Sequence, residues 1–482
     1  MPKISYKEIL NLKYNLAPNQ LIVLDIPNKN TKLFKNFLAR NLKHSDKGIE
    51  VGSINYISES NNFFIRAKAL QLENFLPCLN DETIIPIRPQ VFKDLKLKKG
   101  DLIISKDSNI GESIILDKNY PNYTLSGALY KIPINKNKLY LFAFLKHDYF
   151  RKQLNILVPK GSTISHAKTL FLDCKIPFPN QKNADDVIKY IELLTQAIIN
   201  KEIAIKKKNL SISILIEKEL LENQKIENFN YKFPNFSQLE KTNRLDTSLY
   251  AKDYKTINFI LENYIGGFFY LEKKDFKGGN TPKENNRIFN TGDIKWITPT
   301  IISNYGILKY IETIAIKNNI YNIARDCLIL INRGNKKDLA KSFFYDYNYL
   351  KEGQHNQGCY RVENKEKDML IFLCCLLNSH FYRNLFSYLS VGSKMPEIKI
   401  SNLNEIPFPI FPKLRQKKII SLYHNHINYA NNLNLENFLE EDKKWNEKAG
   451  IIEIDKSIKT IKKMLNSALD KIINNEKVEI NF

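Results

Sequence analysis

A chain of 482 residues is too long for one ordinary hydrophobic core, and 43% apolar residues are too many for wholesale disorder. Lys and Arg number 73 against 51 Asp and Glu, for a formal charge of +22 and a pI near 9.4. Such an excess argues against a neutral surface and for a polyanionic partner, nucleic acid above all, because lysines that neutralise phosphates release condensed counterions. AT-rich coding also writes Lys, Asn and Ile into any protein, but that bias inflates Glu as well, and here the acids lag behind.

From the N-terminus, Met1-Pro2-Lys3 runs into mixed polar sequence, so no signal peptide is expected and a cytoplasmic location is. Residues 1–182 mix short β-type runs with turn residues; Leu21-Ile22-Val23-Leu24, Leu102-Ile103-Ile104 and Ser113-Ile114-Ile115-Leu116 are examples. A helix is predicted over 139–154, before Pro159-Lys160-Gly161. The block closes at Pro177-Phe178-Pro179, which neither a helix nor a central strand tolerates.

Residues 183–225 contain no Pro or Gly. Val187, Ile191, Leu194, Ile198, Ile205, Ile212 and Leu215 follow the 4-3 spacing of a coiled-coil seam, with Lys201 and Lys208 as polar interruptions. Asp185-Asp186 suit the first turn of that helix. Residues 226–412 return to the mixed texture, and 413–482 are helical again, with a second seam at Ile454, Ile458, Ile461, Leu465, Ala468 and Ile472. The segment 425–448, rich in Asn and acids, reads as an insertion or loop. The longest apolar run, 369–377, is too short to cross a membrane. Six cysteines show no CxxC or Cys/His spacing and read as small buried hydrophobes, so no metal is expected.

The halves repeat one another. Lys99-Gly100-Asp101-Leu102-Ile103-Ile104-Ser105 is answered by Ala324-Arg325-Asp326-Cys327-Leu328-Ile329-Leu330, and Gly127-Ala128-Leu129-Tyr130-Lys131 by Gly358-Cys359-Tyr360-Arg361. The run 145–151 is answered by 377–383, Gly161-Ser162 by Gly392-Ser393, and Lys175-Ile176-Pro177-Phe178-Pro179 by Glu405-Ile406-Pro407-Phe408-Pro409. Five blocks in one order are a duplicated domain, each copy followed by a long helix. The predicted class is α+β: two duplicated mixed α/β domains separated by long helices that form an antiparallel coiled coil.

The motifs resemble those of the DNA-specificity (S) subunit of Type I restriction–modification systems. Arg244-Leu245-Asp246-Thr247-Ser248-Leu249-Tyr250 is similar to the segment that opens a target-recognition domain there. Gly278-Gly279-Asn280-Thr281-Pro282 resembles a Gly-Gly-Thr-Pro element with one insertion, and Gly292-Asp293-Ile294-Lys295-Trp296-Ile297-Thr298-Pro299 a Gly-Asp-Ile-x-Trp-Ile-x-Pro strand. Gly450-Ile451-Ile452-Glu453-Ile454-Asp455 resembles the opening of the distal conserved helix. The first domain lacks the Trp-Ile-x-Pro strand, with Gly48-Ile49-Glu50-Val51-Gly52 and Ile54 near its expected place. The resemblance implies two target-recognition domains that read a bipartite double-stranded DNA site, with the helices as ruler and as docking surface for methyltransferase subunits, two of them. It places S-adenosylmethionine on those partners rather than on this chain, and it allows a motor–nuclease subunit in addition.

No enzyme motif appears. Gly266-Gly267 and Gly278-Gly279 lack the Gly-Lys-Ser/Thr of a phosphate loop, and Pro177-Phe178-Pro179 and Pro407-Phe408-Pro409 lack the leading Asn/Asp-Pro of an adenine methyltransferase. The seven histidines form no ligand cluster, and His424-x-His426 reads as a solvated helix face. Groove reading needs polar and basic side chains on loops held by a rigid core. The candidates are Lys106, Ser108 and Asn109, then Lys160, Ser162, Thr163 and His166 in the first domain, with Arg333, Asn335, Lys336, Lys337, Ser393 and Lys394 in the second. Trp296 and Pro299 read as core and turn. A scaffold that binds nucleic acid without sequence preference fits the same charge.

Overall fold

The structure, a computed structural model, describes residues 24, 26–107, 109–158, 167–226, 228–242, 245, 247–282, 289–314, 321–392 and 394–482. It divides into two compact units: Met1–Ile203 with Tyr429–Asn446 and Lys456–Phe482, and Ala204–Asn428 with Glu447–Asp455.

In the first unit the apolar strand Leu102–Ser105, buried at every residue, lies between Ser113–Ile115 and Leu129–Ile132, antiparallel to both. A second sheet sets Phe63–Ile65 antiparallel to Ile84–Pro86 and parallel to Tyr123–Leu125. Ile65, Ile103, Ile114, Leu125 and Leu129 share one core. The closing Lys175–Pro177 pairs with Thr31–Leu33, so Pro177 sits in a two-stranded sheet where no further ladder bond is needed.

The second unit repeats this scheme. Cys327–Ile331 lies between Ser342–Tyr345 and Cys359–Val362, and Phe276–Gly278 adds a fourth strand beside the latter. Phe289–Ile297 runs antiparallel to Glu312–Ile314 and parallel to Gly353–His355. Phe408–Pro409 closes on Phe268–Phe269. Leu102 opposite Ile132 has its counterpart in Leu328 opposite Val362, one residue on from the sequence match.

The same pairings correct the position of the missing strand. Trp296 opposite Gln354 corresponds to Phe64 opposite Thr124, and the 3-10 turn Pro299–Ile301 to Ala67–Ala69. The counterpart therefore lies at Phe63–Ile65 rather than near Gly48–Ile54. It is hidden because Phe64 and Ala67 stand at the positions that Trp296 and Pro299 hold in the second unit. Trp296 is core, 3% exposed against Ile294 and Ile314, as expected.

The helix predicted over 139–154 is two, Lys138–Lys146 and Asp148–Leu157. His147 breaks it: its backbone is extended and its Nδ1 accepts from Tyr149 N at 3.2 Å, capping the second helix, while Nε2 faces Asp470 at 3.3 Å. The second unit has the matching pair Lys367–Leu377 and His380–Leu389, bent by 73°. Among the described residues no single helix is long and apolar enough to cross a membrane.

Ala184–Glu222 is one helix of 39 residues. Its seam is buried from Val187 to Ile212 and then passes to Ile216 rather than to the half-buried Leu215. Within the first unit it meets the distal helix Ile451–Ile473 and the residues after it in reverse order. Glu202 lies 3.8 Å from Lys462, Gln181 Oε1 accepts from Val478 N at 2.8 Å, and Asn180 donates to Asn475 Oδ1 at 2.7 Å. All six distal seam residues are buried.

Two readings of polar sequence need correction, and the lysines of the seam gain partners. The segment taken for a loop contains the helix Phe438–Lys448. Lys201, a polar interruption of the seam, is fully buried: its ammonium lies 2.6 Å from Asp442, donates to Asn446 Oδ1 at 2.9 Å and stands 4.3 Å over the Trp445 ring. Burial draws its pKa down to about 8 while Asp442 pulls the other way, so the ammonium still carries its proton for the most part at neutral pH. Lys208 likewise donates to Glu447 O at 2.9 Å. His424 lies just past the helix Lys413–Tyr423, and its Nδ1 is 2.6 Å from Glu453.

A buried charge pair is worth little against an apolar replacement but costs much when half removed. Lys201→Ala is therefore expected to destabilise the chain by about 3–5 kcal/mol, and Lys201→Met with Asp442→Leu by far less. Denaturant unfolding of the two variants checks this.

Candidate nucleic-acid interface

In the second unit four segments meet at one end of the sheets. The central strand Cys327–Ile331 runs out into a loop whose Asn332 N and Arg333 N both donate to Gly358 O, at 3.0 and 3.3 Å. The neighbouring 391–397 hairpin is closed by a reciprocal pair of hydrogen bonds between Val391 and Glu397, each 2.9 Å. Ile398 N donates to Asn332 O at 2.9 Å and Gly334 N to Pro396 O at 3.1 Å, which tie loop and hairpin together. The third segment is the turn Asn356-Gln357-Gly358, shaped by the Asn356 Oδ1 that accepts from Gly358 N at 3.0 Å. The fourth is Gly279-Asn280-Thr281: Asn280 N donates to His355 O at 3.1 Å, and Thr281 Oγ1 accepts from Gln357 N at 3.5 Å.

The second-domain candidates are thus brought onto one surface. Asn335, Lys336, Lys337 and Lys394 are exposed. Arg333 is not available in the same way, because its guanidinium grips Glu397, with Nε at 3.1 Å and Nη2 at 2.5 Å. It is a strut between loop and hairpin. Ser393 lies outside the described residues.

The first unit builds the same corner. Lys106 N donates to Ala128 O, and Ala167 N to Lys106 O, both at 2.8 Å, as Asn332 does in the other unit. Ser126 Oγ accepts from Ala128 N at 3.3 Å in the turn Ser126-Gly127-Ala128, in the role of Asn356. Ile49 N donates to Leu125 O at 2.8 Å, in the role of Asn280. Asn109 is exposed, whereas the Lys106 ammonium is paired with Asp107 and mostly buried. Ser108, Lys160, Ser162, Thr163 and His166 lie outside the described residues.

Glycine is required at one place in each corner. A Cβ on Gly279 would run into the carbonyl oxygens of His355 and Asn356, and one on Gly48 into those of Leu125 and Ser126. Just upstream in each unit a buried aspartate caps a 3-10 turn: Asp46 accepts from Lys43 N at 2.8 Å and Asp275 from Glu272 N at 2.9 Å. Arg40, 2.6 Å from Asp46, holds that carboxyl below its usual pKa. The Gly-Gly-Asn-Thr-Pro motif was legible as a motif, but the turn it supports was not. Gln357 at that turn, and Glu50 beside its first-unit counterpart, are exposed polar residues that sequence reasoning missed.

Residues 265–441 match the family model described as the Type I restriction modification DNA specificity domain. No curated protein matches the chain. Among solved structures, the chain is similar to the Type-I restriction-modification system S subunit from M. genitalium, 13% identical over 94% of this chain and 98% of that one, with a TM-score of 0.43. It is also similar to the HsdS subunit from Thermoanaerobacter tengcongensis, 10% identical over 96% of each, with a TM-score of 0.26. The matched segment holds the sheets and the corner of the second unit.

His355, which enters the turn Asn356-Gln357-Gly358, is 1% exposed, and burial together with Arg361 lowers its pKa to about 4. It is neutral in the folded chain where an unfolded histidine would take a proton near pH 6.5. Stability is thus fully present above about pH 6.5 and is lost as the pH falls toward 4, by roughly 3 kcal/mol at most. Denaturant midpoints between pH 7 and 4.5 are expected to fall less steeply in His355→Gln than in the parent chain.

Proposed function

We propose that this chain reads a bipartite duplex, one half through each unit, and directs two adenine methyltransferase subunits to it. The observation that carries the reading is the duplicated corner. The same backbone bonds present a turn and a strand-end loop in both units, while the exposed side chains differ. Shared backbone geometry fixes register on the double helix, and different side chains read different bases. In this reading the chain is non-catalytic and cytoplasmic, S-adenosylmethionine binds the partner subunits, and a motor–nuclease subunit joins where restriction accompanies methylation. The net charge of +22 supplies sequence-independent attraction to phosphate.

Selection of randomised duplexes by the purified chain is expected to enrich two short conserved blocks with a fixed gap. The enriched duplex should then outcompete random duplex by about 10³-fold or more at physiological salt. Equal competition would instead favour the non-specific scaffold. The chain alone is expected to transfer no methyl group from S-adenosylmethionine to the selected duplex; transfer would contradict the non-catalytic role.

A further inference from the structure

The two corners share their backbone but not the side chain at the tip. Gln357 and Gly127 are the middle residues of equivalent turns, since Asn356 and Ser126 make the same bonds on one side and Gly358 and Ala128 on the other. Gln357 is exposed, and its backbone N is fixed by Thr281. Gly127 has no side chain, and a Cβ there would run into the Glu50 carboxylate. Glu50 occupies the chain position of Thr281, two residues past the required glycine. The space over the turn is therefore filled from the turn itself in one unit, by a carboxamide, and from the neighbouring segment in the other, by a carboxylate. Among the described residues neither group has a hydrogen-bond or ion-pair partner within the chain. Other polar groups nearby are engaged: Asn356 and Ser126 shape their turns, and Arg333 holds Glu397.

We infer that Gln357 and Glu50 are equivalent base-reading residues, Gln357 selecting adenine in one half-site and Glu50 selecting cytosine in the other. This rests on the DNA-reading role proposed above. A carboxamide both donates and accepts, which matches the N6 and N7 edge of adenine in the major groove. An ionised carboxylate only accepts, which matches the N4 amino group of cytosine. The turns bring each group to the same place on the fold, so one docking geometry serves two chemistries.

The test is selection from a randomised duplex library by the full chain and by Gln357→Ala, Glu50→Ala and Glu50→Gln. Gln357→Ala should relax a single A·T pair in one half and Glu50→Ala a single C·G pair in the other. Each should lose about 5- to 150-fold discrimination, with the opposite half unchanged. Glu50→Gln should move the preference at its own pair from cytosine toward adenine, a change that loss of folding would not produce. If the parent chain enriches a bipartite motif and these variants keep it, or weaken all sequences equally, the inference is overturned while the DNA-reading role stands. If the parent chain enriches no sequence, the role fails and the inference with it.

Discussion

The close approach of one peptide segment to two carbonyl groups decides the shape of each corner. At Gly279 and at Gly48 there is no room for a side chain against the carbonyls of the residues that enter the turn. The following residue then donates into the same strand end, Asn280 to His355 O and Ile49 to Leu125 O. Backbone contact of this kind leaves the turn little freedom, because a polar backbone group pulled out of such a contact must find a new partner or stay unpaired. Everything exposed at the corner hangs on that lock.

The charges inside the chain are distributed in a way the net charge conceals. Several of the cations that look available in the sequence are engaged. Lys106 faces Asp107, Arg333 grips Glu397, and Lys201 is sealed between Asp442, Asn446 and Trp445. These hold loops and helices in place. The cations left at the second corner, such as Lys336 and Lys394, are exposed point charges on flexible stems, suited to phosphates and less to planar base edges. In the proposed role, affinity and specificity would be carried by different side chains on one scaffold, in the division expected of groove readers.

The duplication, the long helix and the distal seam were legible because each repeats a pattern over many residues. The paired halves of the repeat even located the central strands to within one residue. What stayed hidden rests on single contacts. Nothing in Phe63–Ile65 looks like the Trp296 strand, since only the pairing partners make them equivalent. The break at His147 comes from one cap bond inside an otherwise continuous helical pattern. Lys201 looked like an interruption because its partner, Asp442, lies 241 residues away in a segment too polar to read as a helix. At the corner the loops were found from glycine and charge, but the turn residues were not. Gln357 and Glu50 are isolated polar side chains whose common position appears only once the two turns are aligned by their hydrogen bonds.

The central claim is that each unit reads its own half of the target through the locked turn. Hydroxyl-radical footprinting of Gly279→Ala and Gly48→Ala on the selected duplex tests it most directly. A methyl group at either site must displace that turn alone. The account predicts that each variant loses protection over one half-site, a different half for each, and keeps the other half. Loss of both halves together in either variant, or full protection in both, would contradict it.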